Sequence, residues 1–171
     1  DGNNGTVNGA TLTTDRFGSA NSAYSFDGND DINVGNSSAF NITTDHSISY
    51  WYNQNTIDMG AIFSKNNGGG NQNKYLMGTN QYGTSGDFLH WNSTETLGPW
   101  RYSGIPVGNS WNFILWRFTS NNIELYRNGL LFQTYTYDVP IPMNIIADLI
   151  FGSSEGSFYF QGKIDDVIFH N

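Results

Sequence analysis

An all-β fold, two antiparallel sheets packed face to face, is what this sequence predicts, and three observations carry it. Asparagine and glycine, at 23 and 20 of 171 residues, favour turns and left-handed backbone positions over helices. Ile, Val, Thr, Phe, Tyr and Trp are plentiful, strong helix formers are scarce, and short alternating runs recur along the chain. Asn128-Gly129, set between two β-rich runs, is the strongest short-range hairpin signal in the chain.

Taken in order, residues 1–21 read as turn-rich, with short Thr/Val patches. SAYSFD (22–27) alternates as a strand, and INVG (32–35) continues after an aspartate-rich turn. In SISYWYN (47–53), Ile48, Tyr50 and Tyr52 share one face and Trp51 takes the other. AIFSK (61–65) follows, then NNGGGNQN (66–73), too polar and glycine-rich for anything but a loop. KYLMG (74–78) and DFLHW (87–91) are short strands, whereas 92–110 carries two prolines and little alternation. WNFILWRF (111–118) is the most apolar strand and belongs at a sheet centre. The hairpin 122–135, then 145–152 and 158–170, complete ten to twelve strands. So many aromatic residues on a single sheet would leave an apolar face in water, so a second sheet must cover it.

The length suits one domain, residues 1–171, able to bury roughly 70% of the surface its unfolded chain exposes. Cysteine is absent, which removes disulfides, thiol chemistry and thiolate metal sites. Seven basic residues against fifteen acidic ones give a net charge of -8 and no basic stripe, which disfavours nucleic acid and anionic membranes. No apolar run approaches the ~18 residues of a membrane span. Asp1 is not preceded by a basic and apolar leader, so the chain reads as a mature or excised piece of a larger protein.

The turn YSFDGNDDI (24–32) places Asp27, Asp30 and Asp31 within five positions. Calcium takes six to eight oxygens from carboxylates, carbonyls and amides, and such a turn offers them. The same aspartates can instead cap the turn by bonding its backbone N–H groups. A second acidic pair, Asp165-Asp166, lies on the last strand, where strict alternation sends the two carboxylates to opposite faces. There they either contribute to an ion or meet Arg16 or Lys163.

GNNGTVNGA (2–10), DRFGSANSAYSFDGNDDINV (15–34), SISYWY (47–52), LYRNG (125–129) and GKIDDVIF (162–169) together resemble the laminin-G-like, pentraxin-like jelly roll of the concanavalin A-like lectin/glucanase class. The likeness runs over nearly the whole chain and is weakest at 66–110. It implies a jelly-roll β-sandwich and, in many members, a structural calcium ion. Carried over by residue, that ion would be held by Asp1, Asp27, Asp30 and Asp165 or Asp166. It also implies an extracellular module, secreted or at a cell surface, tethered to other domains of a larger chain.

The fold class also hosts hydrolases and lyases, yet no Glu-x-Asp-x-x-Glu strand exists here. The three glutamates, Glu95, Glu124 and Glu155, stand apart in different elements. His46, His90 and His170 show no metal-ligand spacing, and there is no Gly-x-Ser-x-Gly elbow. A non-catalytic role is therefore expected.

Most aromatic residues belong to the core, with Trp51, Trp111, Trp116, Phe26, Phe113 and Phe118 expected as packing. Trp91 and Trp100 flank a polar, proline-containing stretch, beside His90, Arg101 and Tyr102 and near Tyr82. Aromatic faces there suit the apolar side of a sugar ring, with polar neighbours on its hydroxyls. The same rings could cover their own loop or contact a protein. The expectation is a calcium-stabilised, non-catalytic carbohydrate-binding module whose partner is a polysaccharide or other glycan. The alternative is an adhesion or protein-recognition module with the same fold.

Overall fold

The computed structural model describes residues 4–54, 56, 58–66, 73–79, 87–92, 101–102, 109–136, 146–154 and 156–171, with the backbone path alone at 73–74, 87–92 and 101–102. The elements are β1 (Thr6–Asn8), β2 (Thr11–Thr13), β3 (Ala23–Asp27), β4 (Asp31–Gly35), a 3-10 turn (Ser38–Phe40), β5 (His46–Asn53), β6 (Gly60–Asn66) and β7 (Asn73–Thr79). They continue with β8 (Asp87–Asn92), β9 (Arg101–Tyr102), β10 (Trp111–Phe118), β11 (Asn122–Arg127), β12 (Leu130–Thr136), β13 (Leu149–Phe151) and β14 (Gln161–His170). They form two seven-stranded sheets, ordered β1-β4-β13-β6-β7-β8-β9 and β12-β11-β10-β5-β14-β3-β2. The jelly-roll sandwich expected from the sequence is therefore the architecture observed.

Side-chain alternation decides what lies between the sheets. In β10, Ile114, Trp116 and Phe118 are fully buried, so Trp111, Phe113, Leu115 and Arg117 face outward. In β5 the inward set is His46, Ile48, Tyr50 and Tyr52, leaving Ser47, Ser49, Trp51 and Asn53 outside. Phe63, Tyr75, Met77 and Leu149 of the opposite sheet complete the core. Each large side chain sealed there contributes about 2–3 kcal/mol before its lost freedom is counted.

Two large polar side chains inside the sandwich, His46 and Lys65, are paired. His46 Nδ1 lies 2.6 Å from the Thr44 carbonyl and Nε2 2.6 Å from Tyr75 Oη, and its ring stacks on Phe118. Fully buried Lys65 donates from Nζ to Asn36 Oδ1 at 2.8 Å and to the Ala147 carbonyl. Burial pushes its ammonium below the ordinary lysine range, against the opposing pull of Asp148.

Three strands lie beyond the alternation signal. β1, β2 and β9 are two or three residues long, and β1 and β2 sit at sheet edges with largely exposed side chains. Their pairing is set by partners distant in sequence, such as Val7 with Ile32 and Leu12 with Tyr24. The strand expected at 158–170 begins only at Gln161, because Phe158 adopts a φ of 50° and Phe160 is buried in the core. Gly162 then passes so close to β5 that a Cβ would lie 2.4 Å from the Asn53 carbonyl oxygen. Only glycine fits there.

Candidate functional site: the outer face of the β5–β14 sheet

The two acidic segments lie at opposite ends of one strand pair. β14 runs antiparallel to β3 with Gln161 opposite Asp27 and Ile164 opposite Tyr24. Asp165 is thus four residues along β14 from the partner of Asp27, about 13 Å at the rise of an extended strand. At the turn, Asp27 Oδ1 accepts from the Asn29 N–H at 3.2 Å, and buried Asp30 accepts from the Asp27 N–H at 2.8 Å. Asp31 accepts from Asn8 Nδ2 at 2.7 Å. Both turn aspartates thus cap backbone, as one of the two sequence readings has it.

Asp165 and Asp166 depart from the alternation expected of them. The register shifts between Asp165, opposite Trp51, and Ile168, opposite Ser49, and Asp166 takes a φ of 45°. This one-residue bulge aims both carboxylates at a single guanidinium. Arg16 Nη1 meets Asp165 at 2.7 Å and Nη2 meets Asp166 at 2.8 Å. Burial, and then the Asp166 charge, push the Asp165 carboxyl above its ordinary range despite Arg16. Among the described residues no three His, Asp or Glu side chains converge as a metal cluster. Asp27, Asp30, Asp165 and Asp166 as one set therefore do not fit a single calcium ion, and Asp1 lies outside the described residues.

Arg16 belongs to a row of stacked groups on the outer face. Its guanidinium carbon stands 4.7 Å from the centre of the Trp51 ring and 4.3 Å from that of Phe17. Trp51 in turn tilts against Phe113 at 5.3 Å. The row therefore runs Phe113, Trp51, Arg16, Phe17. Trp51, Trp111 and Phe113, expected as core or strand-end packing, are not in the core: all three face outward and are partly buried, with Trp51 and Phe113 packed on each other. Trp116, Phe26 and Phe118 are buried as expected.

One step along the same face lies a polar recess of about 330 Å³, lined by Ser25, Asp27, Asn53, Asn109, Gln161 and Lys163 around Phe26 and Gly162. Strand register assembles it. Lys163 is opposite Asn53 on one side and Ser25 on the other, Gln161 is opposite Asp27, and Trp111 is opposite Asn53. No carboxylate among the described residues pairs with Lys163. Amides, a hydroxyl, a carboxylate and an ammonium, placed beside partly exposed indole, can both donate to and accept from a polyhydroxylated ligand. Sequence reasoning missed this recess, although one signal pointed to it. Trp51 alternates in step with Ser47, Ser49 and Asn53, a polar set that belongs outside.

A second hollow of about 270 Å³ opens between the sheets and is lined chiefly by Tyr24, Phe26, Ile32, Val34, Phe151 and Ile164. Its non-aromatic polar side chains are Ser22 and the two aspartates already held by Arg16, so it is the more apolar of the two. Of the ligand residues expected from sequence, Tyr82 and Trp100 lie outside the described residues. His90 and Trp91 fall on β8, and Arg101 and Tyr102 form β9, at the far edge of the other sheet, with their side chains outside the description.

Comparison with known proteins agrees with this architecture. A laminin G family of the concanavalin A-like lectin/glucanases superfamily matches residues 26–171. No curated protein matches the chain significantly. Among solved structures, domain 4 of AbnA, a GH43 extracellular arabinanase from Geobacillus stearothermophilus solved with arabinotriose, is similar. It has a TM-score of 0.70 and 16% identity, over 98% of this chain and 82% of that one. The CBM40 of the Ruminococcus gnavus IT-sialidase has a TM-score of 0.71 and 12% identity, over 87% and 89% of the two chains. A botulinum neurotoxin type C structure, whose cell entry depends on two ganglioside molecules, has a TM-score of 0.72 and 14% identity. That likeness covers 99% of this chain and 43% of the toxin chain.

Proposed function

Because the chain belongs to the concanavalin A-like lectin/glucanase superfamily, we propose that it is a non-catalytic carbohydrate-binding module of a secreted or cell-surface protein. The observation that carries this reading is the polar recess beside Trp111 on the outer face of the β5–β14 sheet. Its mixture of amide, carboxylate and ammonium groups suits the vicinal hydroxyls of a sugar, and the neighbouring rings suit the apolar face. The net charge of -8 favours neutral glycans over polyanions. That the similar structures include one solved with arabinotriose and a toxin whose cell entry depends on gangliosides supports a glycan as the ligand class.

The non-catalytic part rests on the carboxylates. Glu124, the one described glutamate, accepts from Tyr126 Oη at 2.9 Å and from Arg117 at 3.0 Å. The Tyr126 bond, with Arg117 beside it, holds its carboxyl below the ordinary range. A general acid for glycoside cleavage needs the opposite shift, and Asp165, which is pushed that way, is taken up by Arg16. Trp91, Trp100, His90, Arg101, Tyr102 and Tyr82 remain proposed as a second contact region. Calcium has one place in this reading, the Asp27–Asp30 turn together with Asp1, since Arg16 holds the other two aspartates.

Protein recognition is the second reading, and one observation favours it. The edge strand β12 leaves Leu130, Leu131 and Phe132 exposed at 76%, 54% and 38%. A glycan array, followed by affinity electrophoresis in arabinan, xylan, mannan and β-glucan, separates the two. Retardation that is lost in Asn53→Ala supports the recess. No glycan binding by the folded protein favours the protein partner.

A further inference from the structure

We infer that Phe17 is a second sugar platform, extending the proposed binding site from the polar recess across the outer face to the tip of the β2–β3 loop. The inference rests on the carbohydrate-binding reading above and adds a residue and a length requirement to it.

Phe17 is 77% exposed, and an exposed ring on a loose loop would mean little. This loop is fastened. Asp15 Oδ1 accepts from the Phe17 and Ser19 N–H groups, each at 2.8 Å, and the Asp15 and Gly18 N–H groups close the turn on Ser19 and Asp15 carbonyls. Gly18 takes a φ of 85° in open space, which lets the chain reverse there. Arg16, next in sequence to the ring, is tied down by both Asp165 and Asp166 while stacking on Trp51. The Phe17 ring stands 4.3 Å from that guanidinium carbon while remaining 77% exposed, so it is supported at Arg16 and largely open to solvent. A preorganised ring loses little freedom when a ligand stacks on it.

The surroundings argue for a sugar over a protein. The loop around Phe17, TDRFGSANS (14–22), gives it a mostly polar rim, with Leu12 and Ile168 as the other exposed apolar side chains on the strands beside it. The residue that supports the ring is also anchored near the proposed recess. Arg16 is anchored on the Trp51 and Asp165 row, and the recess begins on the following same-face row, Asn53 and Lys163. Same-face rows are roughly 7 Å apart. The recess spans two such rows, and its far row, Gln161 and Asp27, is four residues or about 13 Å from the Asp165 anchor, so an oligosaccharide longer than a disaccharide can fill the recess and also stack on Phe17.

The test uses linear arabino-, xylo- and gluco-oligosaccharides of two and six units, titrated into the wild-type protein, Phe17→Ala, Phe17→Tyr and Asn53→Ala. Circular dichroism melting of each variant serves as the folding control. The expected result is roughly tenfold weaker binding of the bound hexamer by Phe17→Ala, with the dimer unchanged, because only the longer ligand reaches the ring. Phe17→Tyr should restore the hexamer, and Asn53→Ala should weaken both lengths. Unchanged hexamer affinity in Phe17→Ala, or equal weakening of dimer and hexamer, overturns the platform while leaving the recess standing. Failure of the wild-type protein to bind any of these sugars overturns both.

Discussion

Arg16 and Asp165 are 149 positions apart, yet Arg16 Nη1 donates to Asp165 Oδ2 at 2.7 Å while its neighbouring nitrogen holds Asp166. One guanidinium thereby ties the β2–β3 loop to the bulge of β14 and forms the floor on which Phe17 rests.

The Arg16 clamp should be structural as well as positional. Asp165 is buried, so Arg16→Met leaves a charge without its partner and should cost about 2–3 kcal/mol in urea unfolding. Adding Asp165→Asn should recover part of that loss. Equal destabilisation of the single and double variants would show that the stranded Asp165 charge is not the source of the loss.

The close approach of β14 to β5 predicts a contrast between two glycines. Gly162→Ala would place a Cβ 2.4 Å from the Asn53 carbonyl oxygen and 2.8 Å from Phe160 Cζ, so the strands must part. A loss above about 3 kcal/mol, or failure to fold, is expected. Gly129→Ala, at a φ of 85° with nothing within 4 Å, should cost only about 1–2 kcal/mol. Equal losses in thermal melting would contradict the packing described.

Buried Lys65 should make stability depend on pH. Burial lowers its folded value below the 10.5 of a free lysine, so the unfolded chain binds the proton more tightly. Its contribution to stability therefore rises as pH climbs from the lowered value toward 10.5. Denaturant unfolding from pH 7 to 10 should show the wild-type protein gaining on Lys65→Met. Parallel curves would mean that Lys65 is not shifted.

How far this was legible from sequence follows from which forces act locally. β5, β10 and the β11–β12 hairpin announced themselves through alternation and Asn128-Gly129, because each signal lies within a few residues. The two-sheet sandwich was legible for the same reason, and the jelly-roll class came from the family resemblance of its motifs. Arg16 was one of the partners expected for Asp165 and Asp166, but that both carboxylates would turn toward it was not legible. A single left-handed residue at Asp166 shifts the register, and Arg16, which rewards that shift, is remote in sequence. The recess was hidden likewise, since Ser25, Asn53 and Lys163 become neighbours only through the pairing of β3, β14 and β5.

Calcium in the Asp27–Asp30 turn predicts a chelator effect confined to that end. Excess EDTA should lower the melting temperature by several degrees in the wild-type protein and leave Asp30→Asn unmoved. Because Arg16 holds Asp165, Asp165→Asn should retain the calcium response. Identical melting with and without chelator would remove calcium from the proposal.

Affinity electrophoresis of the wild-type protein and of Asn53→Ala and Lys163→Ala, run in gels containing neutral polysaccharide, bears most directly on the recess. The account predicts that at least one polymer slows the wild-type protein and that both variants, melting normally, migrate freely. Retardation that persists undiminished in both folded variants would place the glycan elsewhere on the molecule and contradict the assignment of the β5–β14 face.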